Sequence, residues 1–66
     1  MGSRIQTYVV EWMEDGQTFT DTWRSERRPT TSQVITLGGH RLKILAIEPP
    51  TETNIGKIRG EPFKSR

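Results

Sequence analysis

Ile5-Gln6-Thr7-Tyr8-Val9-Val10-Glu11-Trp12-Met13-Glu14-Asp15-Gly16-Gln17-Thr18-Phe19-Thr20-Asp21-Thr22-Trp23 is the stretch whose reading decides the fold. Two runs rich in β-branched and aromatic residues flank Asp15-Gly16. A type I′ turn needs φ > 0 at both central residues, which Gly adopts freely and Asp more readily than most, so the pair predicts a two-residue hairpin loop. The register is then fixed. Glu14 opposes Gln17, Met13 Thr18, Trp12 Phe19, Glu11 Thr20, Val10 Asp21, Val9 Thr22 and Tyr8 Trp23. Alternation puts Tyr8, Val10, Trp12, Phe19 and Trp23 on one face, with Asp21 among them, and Thr7, Val9, Glu11, Met13, Thr18, Thr20 and Thr22 on the other. The opposed pairs Trp12–Phe19 and Tyr8–Trp23 contribute roughly 0.2–1 kcal/mol each over Ala–Ala. A slip of one residue would scatter the rings over both faces. The aromatic face is expected to face the core and the Thr-rich face water. Asp21 is the misfit: an unpaired buried carboxylate is costly, so a place at the rim beside an arginine is expected.

The chain has 66 residues and no cysteine. That is the size of one domain, which buries only about 60% of the surface its unfolded chain exposes. Neither a disulfide nor a thiolate-bound metal is available to compensate. Since an isolated hairpin is marginal, further strands must close over the aromatic face. No segment reads as a signal peptide or a membrane span, so the expected location is cytoplasmic, with no membrane partner. Met1-Gly2-Ser3 is set aside from fold reasoning. The net charge of +2 is unevenly spread: residues 1–23 carry one basic and four acidic side chains, and residues 24–66 nine basic and four acidic. Such asymmetry points to a two-signed surface with one basic side.

Beyond Trp23, the run Arg24-Ser25-Glu26-Arg27-Arg28-Pro29 reads as an exposed loop that continues through Ser32, because proline cannot hold a central ladder position. Val34–Leu37 reads as a short strand, Gly38-Gly39 as a two-residue turn, and Arg41–Glu48 as the next strand, with His40 at its start. This pairing sets Ile35 opposite Leu42, Leu37 opposite His40 and Val34 opposite Lys43. Ile35, Leu37, Leu42, Ile44 and Ala46 then share a core face. Leu45 and Ile47 point the other way and are too apolar for a simple solvent face, so the strand is expected to be central or covered on both sides near its end. Pro49-Pro50 stops it. Ile55–Arg59 reads as a weak fifth strand at an edge, and Phe63 is expected to dock back.

The fold expected is all-β: a small antiparallel five-stranded barrel or strongly bent sheet over residues 4–60, with 61–66 as a tail. The run from Arg27-Arg28-Pro29 through Val34-Ile35-Thr36-Leu37-Gly38-Gly39-His40-Arg41-Leu42-Lys43-Ile44-Leu45-Ala46-Ile47 resembles the middle of SH3-like small barrels: a loop, a strand, a Gly turn, and a strand ending in a polar break. The resemblance covers about half the chain, rests on pattern alone and assigns no functional residues. The competing architecture is an open meander that completes its core by dimerising through the aromatic face. Predicted core residues are Val10, Trp12, Phe19, Ile35, Leu37, Leu42, Ile44 and Ile58, with Tyr8 and Trp23 partly buried.

Catalytic constellations are missing from the sequence. His40, the one histidine, sits at a glycine turn. Ser25 and Ser32 lie in a polar loop without an elbow motif, and Gly38-Gly39 precedes neither a Lys-Ser/Thr pair nor a helix. No cluster supplies the three or four ligands of a metal site. An enzyme is therefore not expected, and no cofactor is implied. Two binding functions remain. The first is a protein-interaction or assembly module with an unidentified protein or a second copy as partner, motivated by the hairpin aromatics; Trp and Tyr are enriched at interface hot spots but also fill small cores. The second, alternative function is nucleic-acid binding through Arg24, Arg27, Arg28, Arg41 and Lys43, extended by Lys57 and Arg59, with Trp23 or Tyr8 for stacking. Under either, the candidate partner-binding residues are Trp23, Arg24, Arg27, Arg28, Arg41 and Lys43.

Overall fold

The computed structural model describes residues 5–63. Five strands follow one another: β1 (Gln6–Glu14), β2 (Gln17–Ser25), β3 (Val34–Leu37), β4 (His40–Glu48) and β5 (Gly56–Pro62). They form a single sheet in the order β2-β1-β5-β4-β3. Among the described residues there is no helix, and the sheet curls into a half-barrel that leaves β2 and β3 as its two edges.

Both hairpins take the register their turns dictate. Asp15 and Gly16 have φ of 53° and 76°, Gly38 and Gly39 of 55° and 85°, so each loop holds two left-handed residues. From Glu14↔Gln17 to Tyr8↔Trp23 every β1–β2 pair lies where alternation puts it, as do Val34↔Lys43, Ile35↔Leu42 and Leu37↔His40. The ring pairs meet: Trp12 and Phe19 stack with centroids 5.8 Å apart, and Tyr8 and Trp23 are tilted at 6.0 Å.

The sheet is mixed rather than wholly antiparallel. The Pro49–Ile55 connection turns the chain back beside β4, held by Thr51 N–H donating to Asn54 O (2.8 Å) and Asn54 N–H to Thr51 Oγ1 (3.0 Å). The strand that follows inserts between β4 and β1, antiparallel to the first and parallel to the second. β5 is thus central, not the edge expected of Ile55–Arg59, and it runs on to Pro62, into the expected tail. Phe63 docks back only through its backbone, its N–H donating to Arg41 O at 2.8 Å, while its side chain stays exposed. Met1-Gly2-Ser3, Arg4 and residues 64–66 lie outside the described residues.

Two glycines explain how β5 fits. On the inner face it presents Gly56, Ile58 and Gly60, all buried. Tyr8 lies opposite Gly56, where a Cβ would stand 2.5 Å from Tyr8 Cδ2. At Gly60 a Cβ would come within 3.2 Å of Lys43 O. Glycine is needed at position 56 for close approach rather than for a turn, whereas at position 60 a Cβ would make a tight contact with the β4 backbone.

The core is Tyr8, Val10, Trp12, Ile35, Leu37, Leu42, Ile44 and Ile58, with Trp23 and Ile47 packed against it. Burying each large apolar side chain contributes roughly 1.5–3 kcal/mol. Phe19 departs from the expected core: it remains 40% exposed because β2 overhangs the curl and its inner face has no strand beyond it. Tyr8 is fully buried rather than partly so. Ala46 leaves the expected core face and Ile47 joins it, because a register shift between Ile44 and Ala46 moves the strand on by one residue. Leu45, the extra residue, is exposed. Proline 29 anchors the Glu26–Gln33 loop by burial, though its neighbours are exposed as expected.

Candidate interaction surface

The inner face of β2 carries Phe19, Asp21 and Trp23 in alternation. Trp23 leans on Tyr8 and is half-buried, while Phe19 covers one side of Trp12. His40 approaches Trp12 from the other hairpin, with ring centroids 5.8 Å apart, and its Nδ1 lies 3.8 Å from Glu14 Oε1. The two glycine turns therefore bring one Trp, one Phe, one His and one Glu together. Trp12 Nε1 is buried within this cluster and has no hydrogen-bond partner. A buried donor in that condition costs roughly 1–3 kcal/mol.

The backbone of β2 matters as much as its side chains. In a hairpin with a two-residue loop the flanking pair Glu14↔Gln17 exchanges both hydrogen bonds, and such pairs recur at every second position. Phe19, Asp21 and Trp23 thus bond to β1, and Thr18, Thr20, Thr22 and Arg24 turn their N–H and C=O groups outward. The Thr22 N–H, placed outward by this alternation, donates to Asp21 Oδ1 at 2.8 Å. No described strand lies beyond β2. The edge is nine residues long, without proline, lysine or a bulge. Asp21 is exposed, at the rim as expected, but its shown partner is this backbone amide rather than an arginine.

The basic side chains do not gather on one site. Arg24 stands on the outer face of β2 opposite Thr7, whereas Arg41 and Lys43 stand on β4 opposite Thr36 and Val34. Three strand spacings, roughly 14 Å, and about six residues along the strands, roughly 20 Å, separate Arg24 from Lys43. Arg27 and Arg28 belong to the loop joining the two edge strands. Acids sit opposite several bases: Glu61 faces Lys43, Glu48 faces Lys57 and Glu11 faces Arg59. Trp23 points inward, away from Arg24.

Sequence reading missed one feature, a groove of about 300 Å³ on the outer face, lined among others by Val9, Ala46, Glu11, Glu48, Lys57 and Arg59. Its charges balance, two acids against two bases. It arises where the β4 register shift meets β5, and no residue type announces a shift of that kind. Among the described residues, no three of His, Cys, Asp and Glu come together to hold a metal ion, and no helix is long and apolar enough to cross a membrane. Compared with protein-family models, curated proteins and solved structures, the chain matches none significantly.

Proposed function

We propose that this protein is a non-enzymatic interaction module that captures an extended segment of a protein partner along β2. One observation carries the reading: β2 is a nine-residue edge whose outward backbone groups are unpaired by any described strand, beside an exposed Phe19 and a half-buried Trp23. An added strand would satisfy those groups, and its inward side chains would extend the aromatic face. Edge strands are commonly blunted by proline, lysine, bulges or an inward charge, and of these β2 carries only the inward charge of Asp21.

The alternative, nucleic-acid binding, draws support from Arg24, Arg27 and Arg28 at one end of β2 and its loop. It is weakened by the acids opposite Lys43, Lys57 and Arg59. A salt titration against single- and double-stranded DNA and RNA separates the two, since phosphate contacts give an affinity that falls steeply with salt.

Thr20→Pro tests the proposed mode. It removes an outward N–H and places a ring on the edge, but leaves the β1 ladder intact. The variant is expected to keep its fold by circular dichroism and to lose a partner that the parent protein retains in pull-down. Retention of the partner by a folded Thr20→Pro protein contradicts capture along β2.

A further inference from the structure

We infer that Asp21 sets the selectivity of the β2 edge, disfavouring a second copy of this chain and favouring an extended segment with a basic residue flanked two positions away by apolar ones. The inference rests on the strand-capture reading above. Asp21 is the fifth of the nine β2 residues and the only charged side chain on the inner face of that strand. Phe19 and Trp23 stand two positions to either side of it. A strand laid beside β2 would meet these three on one face, so the matching chemistry is apolar, basic, apolar at every second position.

The same placement explains how self-pairing is resisted. Two copies joined along β2 by a two-fold axis at the middle of the strand would set Asp21 directly against its own image, and like charges there are destabilising. The carboxylate also occupies the Thr22 N–H at 2.8 Å, so one of the four outward donors of the edge is already satisfied in the free protein. An incoming strand must replace that bond with one from its own carbonyl. A lysine or arginine opposite Asp21 compensates the displaced carboxylate with a charge-assisted contact; an aspartate or glutamate does not. The device is an inward charge on an exposed edge, which protects against promiscuous pairing while leaving one complementary partner admissible.

The test uses the full chain, labelled with ¹⁵N, and two capped peptides, Thr-Val-Thr-Lys-Thr-Val-Thr and the same with Glu in place of Lys. Amide shifts are followed at low salt. The expected result is that the Lys peptide moves and protects the amides of Thr18, Thr20 and Thr22 and binds at least tenfold more tightly than the Glu peptide. Asp21→Asn keeps an oxygen for the Thr22 amide but removes the charge, and it should narrow that ratio to threefold or less. It should also raise self-association in sedimentation. Equal binding of both peptides at β2 overturns the charge selection and leaves strand capture standing. Failure of either peptide to perturb β2 overturns both. An Asp21→Asn protein that keeps the full ratio assigns the preference elsewhere and likewise overturns the inference.

Discussion

Gly56 has no side chain to spare room for, because the ring of Tyr8 occupies the place where one would go. A Cβ there would lie 2.5 Å from Tyr8 Cδ2 and 2.9 Å from Glu48 O, a carbonyl that cannot yield as a flexible side chain does. Gly56→Ala is expected to destabilise by about 3 kcal/mol, at the upper end for overpacking, and urea unfolding would show it as a lower midpoint. Trp12 and Phe19, stacked on each other, should respond unequally. Trp12 is 5% exposed, so Trp12→Ala should cost about 3–5 kcal/mol and leave so small a domain largely unfolded. Phe19→Ala should cost about 1 kcal/mol, the worth of one cross-strand pair. Thermal melts of the two variants distinguish these outcomes. The ring pairing was legible in the sequence because the Asp15-Gly16 turn fixes it. The exposure of Phe19 was not, since alternation says which face a residue shares but not how far the rest of the sheet curls over that face.

At the scale of elements, the two turn-defined hairpins could be read residue by residue, and β4 could be read only up to Ile44. Past that point a shift of one position exchanges Ala46 for Ile47 on the inner face. Leu45, Ala46 and Ile47 are all apolar, so no polar residue marks which of them is the extra one. Within β2 the alternation of bonded and outward backbone groups yields a sharp contrast. Phe19→Pro removes an amide that bonds to β1 and should destabilise by several kcal/mol, comparable to a lost ladder bond with its steric clash. Thr20→Pro removes an outward amide and should cost about 1 kcal/mol or less. Denaturant midpoints of the two proline variants check the pairing without reference to any partner.

At the scale of the molecule, β5 joins the two hairpins into one sheet. It is the last of the described strands, yet it lies between the first and the fourth. Its inner residues are Gly56, Ile58 and Gly60, and a strand with one apolar inward side chain reads as an edge. That is why its central position escaped the sequence: the missing apolar surface is supplied by neighbours, with Tyr8 over Gly56 and the β4 backbone against Gly60. A chain ending at Asn54 would keep both hairpins but lose what connects them. It is expected to be unfolded by circular dichroism and tryptophan fluorescence, since separate hairpins are marginal in water. The parent protein, which buries its core within one chain, should sediment as a monomer at low concentration. One of its two open edges is then β2, with its exposed ring and central carboxylate, and the proposed capture of a partner strand rests on that edge. Residue-resolved amide hydrogen exchange on the free monomer tests this most directly. Slow exchange at Phe19, Asp21 and Trp23 alternating with fast exchange at Thr18 and Thr20 is the predicted result; uniform protection from Thr18 through Trp23 would mean that β2 already has a neighbour on its outer side and would contradict the account.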